Sequence, residues 1–186
     1  MPDNDFGYTA WGKAWVRLAE PLSQTRPDPH LPRARRLARD GHVQVAVEGT
    51  TVRAAIQHGR NRLTADIEVA PMPKEELAEI SRRLSGGQPA LTDELYRAIV
   101  AAGHPPAPKL ARVECSCPTS APRCVHVLAV YYEMARRIDD DPRIALSVRG
   151  FFRAPQGTTD VSTPVAPQRW IALSALDPAD YFSRSA

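Results

Sequence analysis

The sequence predicts an α+β protein. An antiparallel β-meander with two helices comes first, then a cysteine-bearing strand-and-helix unit, then a loosely ordered C-terminal tail. Three observations carry this. Apolar residues alternate with period two over 43–69, with a Gly-containing turn about every ten residues. Apolar residues recur at helical spacing over 74–102 and again over 125–138. Proline, 18 of 186 residues, is too frequent for a regular helical bundle and implies fixed turns and extended links. The expected organisation is residues 1–108, 109–150 and a Pro/Thr-rich stretch, 151–186.

Trp11, Trp15 and Leu18 share one side of a short helix expected over Gly12–Glu20. Pro21, Pro27, Pro29 and Pro32 make residues 21–32 a link, followed by the basic run Arg33–Arg39 and an Asp40-Gly41 turn. The three strands of the meander carry Val43/Val45/Val47, Val52/Ala54/Ile56 and Leu63/Ala65/Ile67/Val69. A helix over Lys74–Leu84 turns Leu77, Ile80 and Leu84 inward and stops at Gly86-Gly87. Thr92 is placed to cap a second helix, Asp93–Ala102, with Leu95, Ile99 and Val100 inward. Lys109–Glu114 reads as extended. Val125–Ile138 is the clearest helix, with Glu133, Arg136 and Arg137 on its wet side. Asp139–Asp141 reads as a solvated helix end, with a short helix to follow through Val148. A last helical turn is expected at Asp177–Phe182.

No stretch approaches the ~18 consecutive apolar residues of a membrane span. The start, Met1–Asp5, is polar and acidic, so neither membrane nor signal peptide is expected, and the expected compartment is the cytoplasm. The segment Gly7–Lys13 spells Gly-x4-Gly-Lys, but Ala14 stands where a phosphate loop needs a hydroxyl for magnesium. No paired-carboxylate, Ser/His/Asp or His-Glu-x-x-His pattern appears. The chain is therefore not expected to be an enzyme or to bind a small-molecule substrate, with chemistry at the aromatic-Gly-Lys segment as a remote alternative. His30, His42, His58 and His104 fall in turns or links and are expected to be solvated.

All three cysteines lie between positions 115 and 124, an odd number in a short span, which argues for a local site over a disulfide framework. The pattern is Cys115-x-Cys117, six residues, then Cys124-x-His126. On a strand, residues i and i+2 point to one face, so Cys115 and Cys117 present their sulfurs together. Pro118 and Pro122 bracket a loop that brings the chain back. Cys124 and His126 can meet the first pair only if Cys124 stands just before the helix and His126 in its first turn, because on a regular helix they would diverge by ~200°. Three thiolates and one imidazole complete a tetrahedron, and zinc is the ion that suits soft S and N ligands at that coordination number. A closed set of four makes it one structural Zn2+. A Cys-x-Cys redox pair and plain buried thiols are the alternatives.

This spacing, followed at once by an apolar helix, resembles the SWIM-type zinc finger, whose motif is Cys-x-Cys, a variable spacer, then Cys-x-His. All four ligand positions match. Flanking segments are also similar to bacterial SWIM-finger proteins: Phe6-Gly7 with Trp11-Gly12-Lys13-Ala14-Trp15, Arg39-Asp40-Gly41 before the meander, and Asp141-Pro142 with Arg149-Gly150 after the finger. The resemblance covers most of residues 6–150. It implies a ββα zinc unit within 109–150, a role in DNA or protein interaction, and association with a Swi/Snf-type helicase-like ATPase.

Charge bears on the same question. Overall the chain has 24 basic and 21 acidic residues, but residues 26–62 hold eight arginines against Asp28, Asp40 and Glu48, a local net of +5. Arg33, Arg35, Arg36 and Arg39 cluster before the first strand, and Arg53, Arg60 and Arg62 decorate the meander. Such a face suits the phosphates of DNA or RNA. Few aromatics interleave with these arginines, so no stacking platform is evident. A nucleic-acid-associated module and a protein–protein adaptor with a purely structural zinc both stay open.

Overall fold

The alternating apolar residues of 43–69 form the strands that their period predicts. In a computed structural model of the chain, which describes residues 5–26, 28–85, 91–119 and 121–152, β1 (Val43–Glu48), β2 (Thr51–His58) and β3 (Asn61–Val69) make an antiparallel meander. The register puts Val45 opposite Ala54 and Ala54 opposite Ala65. Val43, Val45, Val52, Ala54, Ile56, Ala65, Ile67 and Val69 are buried on one face, while Gln44, Arg53, Thr64, Asp66 and Glu68 face solvent on the other. Gly49 and Gly59 turn the two hairpins at φ +60° and +63°, the left-handed region that costs glycine nothing.

A fourth strand completes the sheet, in the order β1-β2-β3-β4. β4 (Leu110–Cys115) runs antiparallel to β3, with Val113 opposite Ile67 and Cys115 opposite Ala65. The cysteine strand is thus hydrogen-bonded to the meander. Among the described residues, 109–150 contain this one strand, not two. Pro118 and Thr119, directly after Cys117, make a turn, and β3 supplies β4 with its antiparallel neighbour.

Six helices accompany the sheet among the described residues. α1 (Ala10–Ala19) starts two residues earlier than its apolar pattern suggests, because the Thr9 hydroxyl accepts from the Gly12 N–H as N-cap. α2 (Leu31–Arg39) spans the basic run and begins inside the expected link. Leu31, Ala34, Leu37 and Ala38 form a narrow buried stripe that the arginines obscure in the sequence. α3 (Lys74–Ser85) and α4 (Asp93–Ala101) agree with expectation, including the Thr92 cap on α4. However, Leu77 and Val100, expected inward, are exposed at 37% and 41%.

α5 (Val125–Asp140) is the hub. It packs against α1, α2 and the sheet, and 12 of its 16 residues are buried, as befits a helix covered on several sides. Glu133 is one of them. Expected on the wet side, it is instead enclosed and held by Arg136 and Arg137, whose guanidiniums reach back one turn. Asp139 is also buried rather than solvated. A short α6 (Arg143–Ser147) follows. Just beyond it, Arg149 is fully buried and forms a two-pronged ion pair with Glu76 of α3. The Gly86-Gly87 stop, the tail beyond Phe152 and the Asp177–Phe182 turn lie outside the described residues. No helix among the described residues is long and apolar enough to cross a membrane.

Candidate metal centre

Cys115, Cys117, Cys124 and His126 converge: one ligand atom from each lies within 4.8 Å of all the others. Two elements do the positioning. β4 brings in Cys115 as its last residue. The chain stays pinned to β3 one residue on, where the Ser116 N–H donates to the Thr64 carbonyl and the Thr64 N–H donates to Ser116 Oγ. That keeps the extended geometry that points Cys115 and Cys117 the same way. The other two ligands come from the start of α5. Cys124 is its N-cap, at φ −69° and ψ 161°, and its side chain makes no capping hydrogen bond, so the sulfur is left for other work. His126 follows in the first turn, as the divergence argument requires. Arg123 anchors this corner by donating to the Leu18 and Ala19 carbonyls at the end of α1.

The site is enclosed. Cys117, Cys124 and His126 are at most 6% exposed, and Cys115 is half-buried. In the absence of a cation, burial pushes the Cys115 thiol up to about 12, and the neighbouring Cys117 and Cys124 thiols add to the rise. His126 lies below the ordinary imidazole value, first through burial and then through the His58 and Arg33 charges, which favours the neutral, ligating form. One atom is unaccounted for. His126 Nε2 is 2.6 Å from His58 Nδ1, whereas His126 Nδ1 is buried and has no hydrogen-bond partner. A buried, unsatisfied ring nitrogen beside three sulfurs is what a metal-ligand site presents before its ion is added. Zn–S bonds of ~2.3 Å would set tetrahedral sulfurs ~3.8 Å apart, so the cluster needs only about an ångström of contraction. The Cys3His set can hold a metal ion such as zinc.

The seven arginines do not gather in the same way. Arg35 pairs with Glu20, Arg36 with Asp40, Arg39 with Asp5, and Arg53 with both Glu48 and Asp66. Arg33 contacts His58. Arg60 and Arg62, at the β2–β3 turn, form no salt bridge among the described residues. A groove of about 520 Å3 holds Arg35 and Arg39 together with Lys13 and Arg17, over a floor that includes Phe6 and Tyr132. Lys13 and Arg17 escape sequence reasoning because α1 reads as a core helix. Their position on its solvent side is legible only once Trp11 and Trp15 are known to face inward. His58 also escapes it: in sequence it is a turn histidine, and only the hairpin register carries it to α5.

In an alignment of 155 positions that covers 76% of its length, the chain is 26% identical to the uncharacterized protein Rv2102 of Mycobacterium tuberculosis. It spans about half, 55%, of that curated relative. No family model matches the chain, and no solved structure matches it.

Proposed function

We propose that this chain is a zinc-stabilised binding module of the SWIM type that works in a nucleic-acid-associated complex, beside a Swi/Snf-type helicase-like ATPase. The observation that carries the reading is the convergence of four ligand atoms, three of them on buried residues, from the end of β4 and just beyond it and from the start of α5. Four protein ligands leave no coordination position for water or substrate, so the metal's task is to hold strand to helix. The sequence motif and the apolar helix that follows support the SWIM assignment, and the site offers no paired groups for catalysis. In this reading the polyanion is met by Lys13 and Arg17, in the groove that Arg35, Arg39 and Glu20 also line, and by Arg60 and Arg62 at the hairpin tip; Lys13, Arg17, Arg60 and Arg62 form no salt bridge among the described residues.

A second reading has its own support. Arg35, Arg36, Arg39 and Arg53 already sit in ion pairs, which lowers the charge they offer to phosphate. A protein–protein adaptor with a structural zinc needs no such charge. Salt separates the two. Titration of the purified chain with duplex DNA and single-stranded RNA should give binding whose logarithm falls linearly with log salt, with a slope near −0.9 per phosphate neutralised on duplex DNA. Lys13→Ala with Arg17→Ala should weaken it and flatten the slope by about two contacts. No binding at low salt leaves the adaptor.

A further inference from the structure

The geometry points to His58 as the outer-shell partner that orients His126 for the metal: His58 Nδ1 takes the proton of His126 Nε2 as a hydrogen bond and leaves His126 Nδ1 to the ion. This rests on the Cys3His reading. Its support is spatial. His58 is the last residue of β2, 68 positions from His126, yet the two rings are 4.9 Å apart between centroids with a 2.6 Å N···N contact. The hairpin register fixes His58 opposite Asn61 at the end of the β2–β3 ladder, so its ring is carried on regular structure and not on a free loop. His58 is half-buried, and its other nitrogen, Nε2, faces the exposed Arg33 of α2.

Proton arithmetic gives the assignment content. A ligating neutral imidazole has one N–H, and with Nδ1 on the metal that proton must be on Nε2. It therefore donates to His58 Nδ1, which must be the acceptor. A neutral His58 then keeps its own proton on Nε2, directed at the Arg33 guanidinium, which can only donate. Two donors cannot share that contact. Arg33 is exposed and long, and His58 and His126 are fixed by a strand and a helix, so Arg33 is the group that yields. A metal-loaded site holds the His58–His126 bond and releases Arg33.

Outer-shell partners of ligating histidines typically alter metal affinity by 10–100-fold, and His58→Phe, which cannot accept, should weaken zinc by that factor in competition with a chromophoric chelator. His58→Gln, whose amide oxygen accepts, should recover most of the loss. Arg33→Ala should bind zinc at least as tightly as the wild type, which a merely structural α2–β2–α5 contact chain would not allow. Wild-type affinity in His58→Phe, or equal weakening in Arg33→Ala, overturns the assignment. If His58→Phe does not fold, ring 15N spectra of the zinc-loaded wild type decide: His126 must carry its proton on Nε2, and a proton on Nδ1 overturns the proposal. A wild type that takes up no zinc sinks the metal reading itself, which is a separate outcome from zinc bound without help from His58.

Discussion

The two ends of α5 solve the same problem by different means. At the C-terminal end a buried carboxylate, Asp139, is fully provided for by the chain. It accepts from the Gly7, Tyr8 and Thr9 N–H groups and from the Thr9 hydroxyl, and Thr9 in turn caps α1. Gly12 passes so close that an added Cβ would stand 2.1 Å from Asp139 Oδ1. At the N-terminal end the provision is incomplete: the buried His126 Nδ1 has no partner, and burial drives the Cys115 thiol far from its ionised form. One end is complete as a polypeptide. The other can be completed by a cation such as zinc, which would favour the thiolates and take the idle nitrogen at once.

Breaking the metal end should have the largest effect. Structural zinc contributes on the order of 10–16 kcal/mol of apparent binding free energy in isolated fingers, against about 5–15 kcal/mol of net stability for whole domains. Cys124→Ser should therefore remove zinc and abolish amide protection over residues 109–138. Residues 42–102 should lose protection more slowly, since the β1–β3 ladders are paired among themselves, although melting of α5 uncovers the face it packs on. The attachment of β4 to β3 sharpens the test, because loss of the finger strips one edge of the sheet, and β3 should lose protection before β1 and β2. Hydrogen exchange read by mass spectrometry follows each segment. Wild-type protection across 125–138 without zinc would show that the metal is not structural.

Breaking the self-sufficient end should cost less and leave the metal in place. Asp139→Ala strands the Gly7 and Thr9 N–H groups that Asp139 now receives, and loss of one member of a buried charged network costs about 3–5 kcal/mol. Gly12→Ala attacks the same contact from the other side. The new methyl would also meet the Ala135 carbonyl at 2.9 Å, and overpacking of this kind costs about 1–3 kcal/mol. Both variants should unfold at lower denaturant yet still carry one zinc per chain by elemental analysis. Joint loss of zinc and stability would show that the ends of α5 are coupled through the helix.

Legibility in the sequence followed the same division. The ligand set was readable because four residues within twelve positions must obey strand and helix geometry, and β4 and α5 supply it. The meander was readable because its period is two. The identity of the helix's wet side was not: Glu133 and Asp139 are charged, and nothing local says that α1, Arg136 and Arg137 will close over them. α2 was hidden by composition, since four arginines mask the stripe of Leu31, Ala34, Leu37 and Ala38. His58 was hidden by distance, because its role arises from hairpin register and helix placement together. Long-range polar partnerships are the part of this molecule that local pattern does not encode.

The smallest expected effect belongs to a polar cluster on the middle of α5, away from the Cys3His cluster. Tyr132 donates from its hydroxyl to Glu20 at 2.6 Å, and Arg35 donates to the same carboxylate at 2.6 Å. Burial pushes the Glu20 carboxyl up, but the hydrogen bonds from Tyr132 and Arg35 outweigh it, so Glu20 titrates below its ordinary value. A carboxyl lowered by folding stabilises the fold fully above its unfolded pKa of about 4.3, and that contribution disappears as pH falls through the folded value. The Glu20 and Arg35 side chains are 32% and 39% exposed, so solvent screening keeps the contribution near 1 kcal/mol. Glu20→Gln should lower stability by about that much at pH 7, and the gap should close between pH 5 and 3 as the wild type loses its charge. Denaturant midpoints across that range measure it. An unchanging gap would mean that Glu20 contributes by packing against Tyr132 and not by its charge, which would remove this cluster from the self-sufficient polar half of α5.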